Sequence, residues 1–194
     1  MKRALDLALT VLTAPLWMPL LALTALVVAV TMGRPVLYVS ERAGKGGRVF
    51  RFLKLRTMRA PRFSGEGDAA RLTRVGRVLR ALSLDELPQF FHVLSGRMSL
   101  VGPRPLPGAY LPRYSAFQRR RHEVRPGITG WAQVCGRNAL SWERKFELDV
   151  WYVDHRSLAL DLKILALTLW RVLGRSGVNH GKCDTMYEFT GGDR

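Results

Sequence analysis

ALDLALTVLTAPLWMPLLALTALVVAVTM, residues 4–32, carries a single charge, Asp6. A membrane span needs about 20 consecutive apolar residues, and this run is longer. Pro15 and Pro19 interrupt it. Each removes a backbone donor and clashes with the preceding turn, which predicts a kink. The part before Pro15 holds about a dozen residues, which at about 1.5 Å each falls well short of the ~30 Å hydrocarbon core. Lys2 and Arg3 precede the run, and Arg34 and a very basic body follow it. Cations at both ends favour the cytoplasmic side for both. A helix over residues 1–34 that enters, breaks at Pro15 and Pro19 and returns satisfies all of this. A kinked helix that spans is the alternative. No small-x-small cleavage site precedes the polar region, which argues against a cleaved signal peptide.

The remainder, residues 35–194, is long enough for one domain with its own core. The whole chain has 194 residues and a formal net charge of +16. Such a surplus calls for polyanionic partners: nucleic acid, anionic lipid or phosphorylated substrates. Cys135 and Cys183 have no C-x-x-C spacing, so neither a disulfide framework nor a zinc site is indicated.

Residues 36–39 and 49–52 read as two strands joined by a glycine-rich turn at 43–47. Lys54 and Arg56 follow at a spacing of two, which on a strand puts both on one face. Residues 61–70 read as a loop. A helix then starts at Thr73, with Arg71, Arg74, Arg77 and Arg80 recurring every third residue opposite Val75, Val78, Leu79 and Leu82. A basic amphipathic helix of this kind has a solvated face by default; phosphate or membrane-surface contact is the sharper reading.

Residues 83–89, SLDELPQ, set adjacent carboxylates into this basic chain. Pro88 fits a first helical turn, which predicts Asp85 as N-cap. An ionised carboxylate there is an acceptor, a metal ligand or a nucleophile. Ser83 with Glu86 also fits a capping box, which needs no chemistry. In the run 101–105, VGPRP, Arg104 sits between prolines that stiffen its backbone for anion binding. The charge run Arg119, Arg120, Arg121 reads as solvated. In 125–138, RPGITGWAQVCGRN, the glycines allow close backbone approach, and Arg137 and Asn138 can donate to phosphate. Neither a Walker loop nor a G-x-G-x-x-G motif is present.

Residues 142–152 read as a helix, as do residues 158–173. In the latter Asp161, Thr168, Arg171 and Arg175 form one polar stripe on a wide apolar surface. That pattern predicts a helix lying in the membrane interface, with a buried core helix as the alternative.

Four ordered segments carry a resemblance: 54–58, KLRTM; 76–89, GRVLRALSLDELPQ; 98–105, MSLVGPRP; and 125–138. Together they resemble the bacterial sugar transferases, the small monotopic polyprenyl-phosphate phosphoglycosyl transferases. The resemblance implies transfer of a sugar 1-phosphate from a UDP-sugar to undecaprenyl phosphate with release of UMP. It implies Asp85 as nucleophile through a covalent phosphosugar intermediate, Glu86 completing the dyad, and Mg²⁺ as cofactor. Asp85 is then the metal ligand, with Glu86 a second candidate. Lys54, Arg56, Arg77, Arg80, Arg104, Arg137 and Asn138 are the expected phosphate- or substrate-binding residues.

The expected fold is α+β and mostly helical. It combines the re-entrant helix, a small β-hairpin and interfacial amphipathic helices around a compact catalytic domain on the cytoplasmic face of the bacterial inner membrane. The tail, residues 177–189, resembles that of members acting on N-acetylated sugars. A homodimer stays open. Two departures stand out: Ala14 where a serine often precedes the break proline, and His92 and Arg97 where asparagine and aspartate are common. The rival readings are a nucleic-acid-binding protein and a non-catalytic basic membrane adaptor.

Overall fold

The computed structural model describes residues 1–136, 139–173 and 188–191. The apolar run forms α1 (Lys2–Leu12) and α2 (Ala14–Met32), separated at Thr13. Pro15 supplies no N–H, so carbonyls before it need other donors. The Thr13 hydroxyl donates to the Leu9 carbonyl at 2.7 Å, and the Trp17 indole N–H donates to the Thr10 carbonyl at 3.0 Å. The Leu9 carbonyl also accepts the Thr13 N–H at 3.0 Å, so the Thr13 hydroxyl adds a second bond at the break. Pro19, expected to sharpen the break, lies inside α2, which continues through it. α2 has a mean hydropathy of 2.0 and is, among the described helices, the one long and apolar enough to cross a membrane.

Both ends of this segment rest on the rest of the protein. At the start, Lys2 Nζ donates to the Val101 carbonyl (3.0 Å), Tyr152 Oη (2.9 Å) and Asp161 Oδ2 (2.5 Å). Asp6 does not meet solvent; it is 5 % exposed and accepts from Ser99 Oγ and the Leu100 N–H. At the far end, the Arg56 guanidinium donates to the carbonyls of Met32, Gly33 and Arg34. Val28 packs there on Leu55 and Leu79.

The hairpin forms as expected but longer. β1 (Leu37–Ala43) pairs antiparallel with β2 (Val49–Leu55), with Tyr38 opposite Lys54. Gly46 and Gly47 take positive φ (66° and 72°) in the turn, where a side chain is disfavoured. β2 ends at Leu55, and the Arg56 N–H still donates to the Val36 carbonyl at 2.9 Å; Lys54 and Arg56 line one cavity, and the Arg56 guanidinium also caps α2. The arginine ladder also divides, because Arg71 ends α3 (Asp68–Arg71) and the others belong to α4 (Arg74–Ala81). Thr73 caps α4 through the Gly76 N–H.

Gly76 lets α4 seat on the chain: a Cβ there would lie 1.9 Å from the Thr57 carbonyl oxygen. Alanine gains about 1 kcal/mol in helix propensity. Against a backbone atom it cannot displace cheaply, Gly76→Ala is nonetheless expected to destabilise by about 1–3 kcal/mol. Urea unfolding measures it, and a stabilised variant would contradict this seating.

The chain continues through α5 (Gln89–Leu94), β3 (Ser99–Val101), α6 (Ala116–Arg119), β4 (Gly127–Thr129), α7 (Trp131–Cys135), α8 (Trp142–His155) and α9 (Leu158–Leu173). β3 and β4 form a short parallel pair that periodicity did not reveal. Glycine makes it possible: a Cβ on Gly127 or Gly130 would lie 2.1 or 2.2 Å from the Gly102 backbone. The main core joins Phe52, Val93, Met98, Val101, Tyr152 and Ile164. The polar stripe of α9 faces this body rather than water. Asp161 is bound by Lys2 and Tyr152, and Thr168 is paired with Thr129 at 2.7 Å. Leu162, Leu169 and Trp170 are on the exposed side. Arg175 lies outside the described residues. The architecture is a mostly helical α+β fold with one small antiparallel pair and an apolar N-terminal helix.

Candidate active site

Asp85 and Glu86 lie in a 3₁₀ turn, Leu84–Glu86, between α4 and α5. Ser83 leads into it in the left-handed region (φ 56°), a conformation that costs a non-glycine residue about 1–2 kcal/mol. The helix after it starts at Gln89, so Asp85 is not an N-cap, and Ser83 makes no capping bond. Glu86 does not close a capping box either. Its Oε1 accepts from Lys54 Nζ at 2.5 Å, and the Arg104 guanidinium forks onto both of its oxygens. Lys54 Nζ also lies 3.6 Å from Asp85 Oδ2. The side chain of Asp85 makes no hydrogen bond among the described residues, although it is buried.

Two adjacent carboxylates thus sit in different fields. For Glu86, burial pushes the carboxyl up, but Arg104 and Lys54 outweigh it and hold the group well below the usual carboxylate range. For Asp85, burial raises the carboxyl; Lys54 pulls it down and Glu86 pushes it further up. Glu86 is locked as an anion, while Asp85 is poised by whatever cation approaches it.

The dyad opens into a cavity of about 1200 Å³ whose walls include Lys54, Arg56, Arg77, Arg80, Arg104, Gln133 and Arg171. Arg80 Nε donates to Thr57 Oγ1 at 3.1 Å, and its charge acts on Asp85. The structure therefore brings Lys54, Arg80 and Arg104 to Asp85 and Glu86, with Arg77 on the wall of the same cavity. Arg56 lines the same cavity, and its guanidinium also holds the carbonyls at the end of α2. Arg137 and Asn138 lie outside the described residues. Sequence reasoning missed Arg42, which lines the cavity with Tyr38 and has its pKa lowered, first by burial and then by Arg104. The even spacing of Tyr38 and Arg42 in β1, with Tyr38 opposite Lys54, was the available signal.

For a magnesium ion the donor set is narrow. No group of three or more His, Cys, Asp or Glu clusters among the described residues. The Glu86 oxygens are taken by two cations, which leaves Asp85. One carboxylate suits an ion that keeps water and binds substrate phosphates.

Behind the site, His122 is buried and its Nδ1 bonds the Gly44 carbonyl at 3.2 Å, while Nε2 has no partner among the described residues. Burial and then Arg121 push its pKa down to about 4. The unfolded chain then binds the proton more tightly than the folded one. The stability this contributes is complete above pH ~6.5 and is lost as pH falls toward about 4. The thermal midpoint of the protein should drop more between pH 6.5 and 4.5 than that of His122→Gln. Parallel curves would contradict it.

Residues 1–175 match the family described as bacterial sugar transferase. An uncharacterized sugar transferase of Bacillus subtilis, EpsL, is 50% identical over 98% of this chain and 96% of its own length. A UDP-N-acetylgalactosamine-undecaprenyl-phosphate N-acetylgalactosaminephosphotransferase of Aeromonas hydrophila is 41% identical over 89% of this chain and 43% of its own length. A UDP-glucose:undecaprenyl-phosphate glucose-1-phosphate transferase of Caulobacter vibrioides is 41% identical over 87% of this chain and 68% of its own length.

Proposed function

The chain belongs to the bacterial sugar transferase family, and on that premise we propose that it is a phosphoglycosyl transferase, moving a sugar 1-phosphate from a UDP-sugar to undecaprenyl phosphate. The observation that carries this reading is the split dyad: Glu86 fixed by Lys54 and Arg104, and Asp85, 3.6 Å from Lys54 and without a hydrogen bond among the described residues, beside a basic cavity. The Asp85 carboxylate attacks the sugar-bearing phosphorus of the donor. The bond from that phosphorus to the bridging oxygen breaks, and UMP leaves with the electron pair. An oxygen of the lipid phosphate then attacks the same phosphorus and frees Asp85. Lys54, Arg77, Arg80 and Arg104 hold the phosphates and offset the charge that develops on them. Mg²⁺ bound through Asp85 would supply further neutralisation of the donor diphosphate.

The donor is proposed to be an N-acetylated UDP-sugar, from the tail resemblance; residues 177–187 of that tail lie outside the described residues. Relatives named for N-acetylgalactosamine and for glucose support the reaction class without selecting the sugar. A lipid acceptor and a water-soluble donor meet only at the membrane surface. We read residues 1–34 as a re-entrant segment with the active site toward the cytoplasm. The attachment of both its ends to the same body supports this, as do the exposed apolar faces of α2 and α9.

The test is UMP release from a panel of UDP-sugars with undecaprenyl phosphate and Mg²⁺, in detergent. One donor should be turned over and EDTA should stop it. No release from any donor by a folded protein would overturn the reading in favour of the adaptor.

A further inference from the structure

Three prolines surround Arg104 and deny its segment the usual means of being held. Pro103, Pro105 and Pro107 have no N–H, so the chain there is fastened through its carbonyls. Pro103 O accepts from the Gly127 N–H at 3.0 Å, and Leu106 O accepts from the Ala43 N–H at 2.9 Å. Between them, Arg104 O accepts from a side chain: Arg121 Nη2, at 2.8 Å.

Arg121 is no solvated member of a charge run. It is 3% exposed, and Asp149 on α8 is 4% exposed. Arg121 Nη2 and Nε reach Asp149 Oδ2 at 2.7 and 3.1 Å. Nη1 lies 3.4 Å from Tyr114 Oη, and the guanidinium stacks over the Tyr114 and Phe146 rings at 5.8 and 5.5 Å. A guanidinium fixed on so many sides presents its second Nη2 N–H to Arg104 in one place only.

We propose that Arg121, held by Asp149, is a positioning residue for phosphosugar transfer: it fixes the Arg104 main chain and so keeps the Arg104 guanidinium on Glu86. This rests on the transferase reading above. It reaches past that reading, because neither Arg121 nor Asp149 is assigned a part in the dyad. The two residues need not touch substrate.

The test must separate positioning from mere folding. Removing Arg121 alone strands a buried carboxylate, so both partners are replaced together. Apolar residues of similar volume often substitute for a buried ion pair without loss of stability. The variant carrying Arg121→Met and Asp149→Leu should fold with a thermal midpoint near that of the wild type. Its kcat should fall by roughly tenfold to a hundredfold, the scale of a misplaced group at a phosphate site. In an Arg104→Ala background the same pair of changes should have little further effect.

Pair-variant turnover within twofold of wild type would overturn the proposal, as would an equal loss in both backgrounds. The wild-type rate judges the transferase reading separately. If the wild type releases no UMP, that reading falls, and the positioning link is decided by the same cycle in thermal midpoints. There Arg104→Ala should lower the midpoint less in the pair variant than in the wild type, and additive effects would overturn it.

Discussion

Asp85→Asn is expected to lower turnover by about a thousandfold or more while the protein stays folded. The amide keeps the shape of the carboxylate and loses the anionic nucleophile. The fold should not suffer, because the Asp85 side chain makes no hydrogen bond among the described residues and its charge is disfavoured by burial. Asn at this position should leave the thermal midpoint equal or slightly higher. Loss of activity together with loss of folding would say nothing of chemistry, so both are measured on one preparation. A variant retaining more than about a tenth of the wild-type rate, on the scale of nucleophile replacements, would sink the assignment.

Lys54→Met should show the second largest effect. Lys54 is the cation that touches both carboxylates, at 2.5 Å from Glu86 and 3.6 Å from Asp85. Methionine keeps most of the stem and removes the charge. Glu86 retains Arg104, so the fold should weaken by about 1–3 kcal/mol, the cost of a partner lost to a buried charged group. Turnover should fall by about 10²–10³-fold, as for loss of one preorganised electrostatic contact. The pH profile gives a sharper reading. Lys54 pulls the Asp85 carboxyl down against burial. Without it the folded-state pKa rises, so the acid limb of kcat/KM should move to higher pH. An unmoved acid limb with normal turnover would mean that Lys54 does not act on Asp85.

The residues themselves explain what the sequence disclosed. The hairpin was legible from β-branched and aromatic runs around a glycine turn. The helix start at Thr73 was legible, and α9 matched its apolar pattern from Leu158 to Leu173. Other features depend on contacts between distant segments, which no local pattern encodes. Arg121 reads like Arg119 and Arg120 until Asp149 is brought across from α8. Arg56 has the spacing of a phosphate ligand and lines the cavity, but its bonds to the carbonyls at the end of α2 could not be read from that spacing. β3 and β4 are three residues each, too short for any period to register.

α9 shows a subtler limit. Periodicity separates a polar stripe from an apolar face but not inside from outside. Asp161 and Thr168 face inward together with Ile164, which joins the core, while Leu162, Lys163, Leu169 and Trp170 are exposed. Asp6 reads the same way: a lone charge in an apolar run, which Ser99 and the Leu100 N–H draw into the protein.

The measurement that tests the central claim most directly is a single-turnover reaction without any lipid acceptor. Purified protein is given UDP-sugar and Mg²⁺, and both UMP and the intact protein mass are followed. The account predicts UMP up to the amount of enzyme present, with the sugar phosphate retained on the peptide that contains Asp85 and absent in Asp85→Asn. UMP released only when undecaprenyl phosphate is added, with no adduct on the protein, would contradict it and require direct attack by the lipid phosphate.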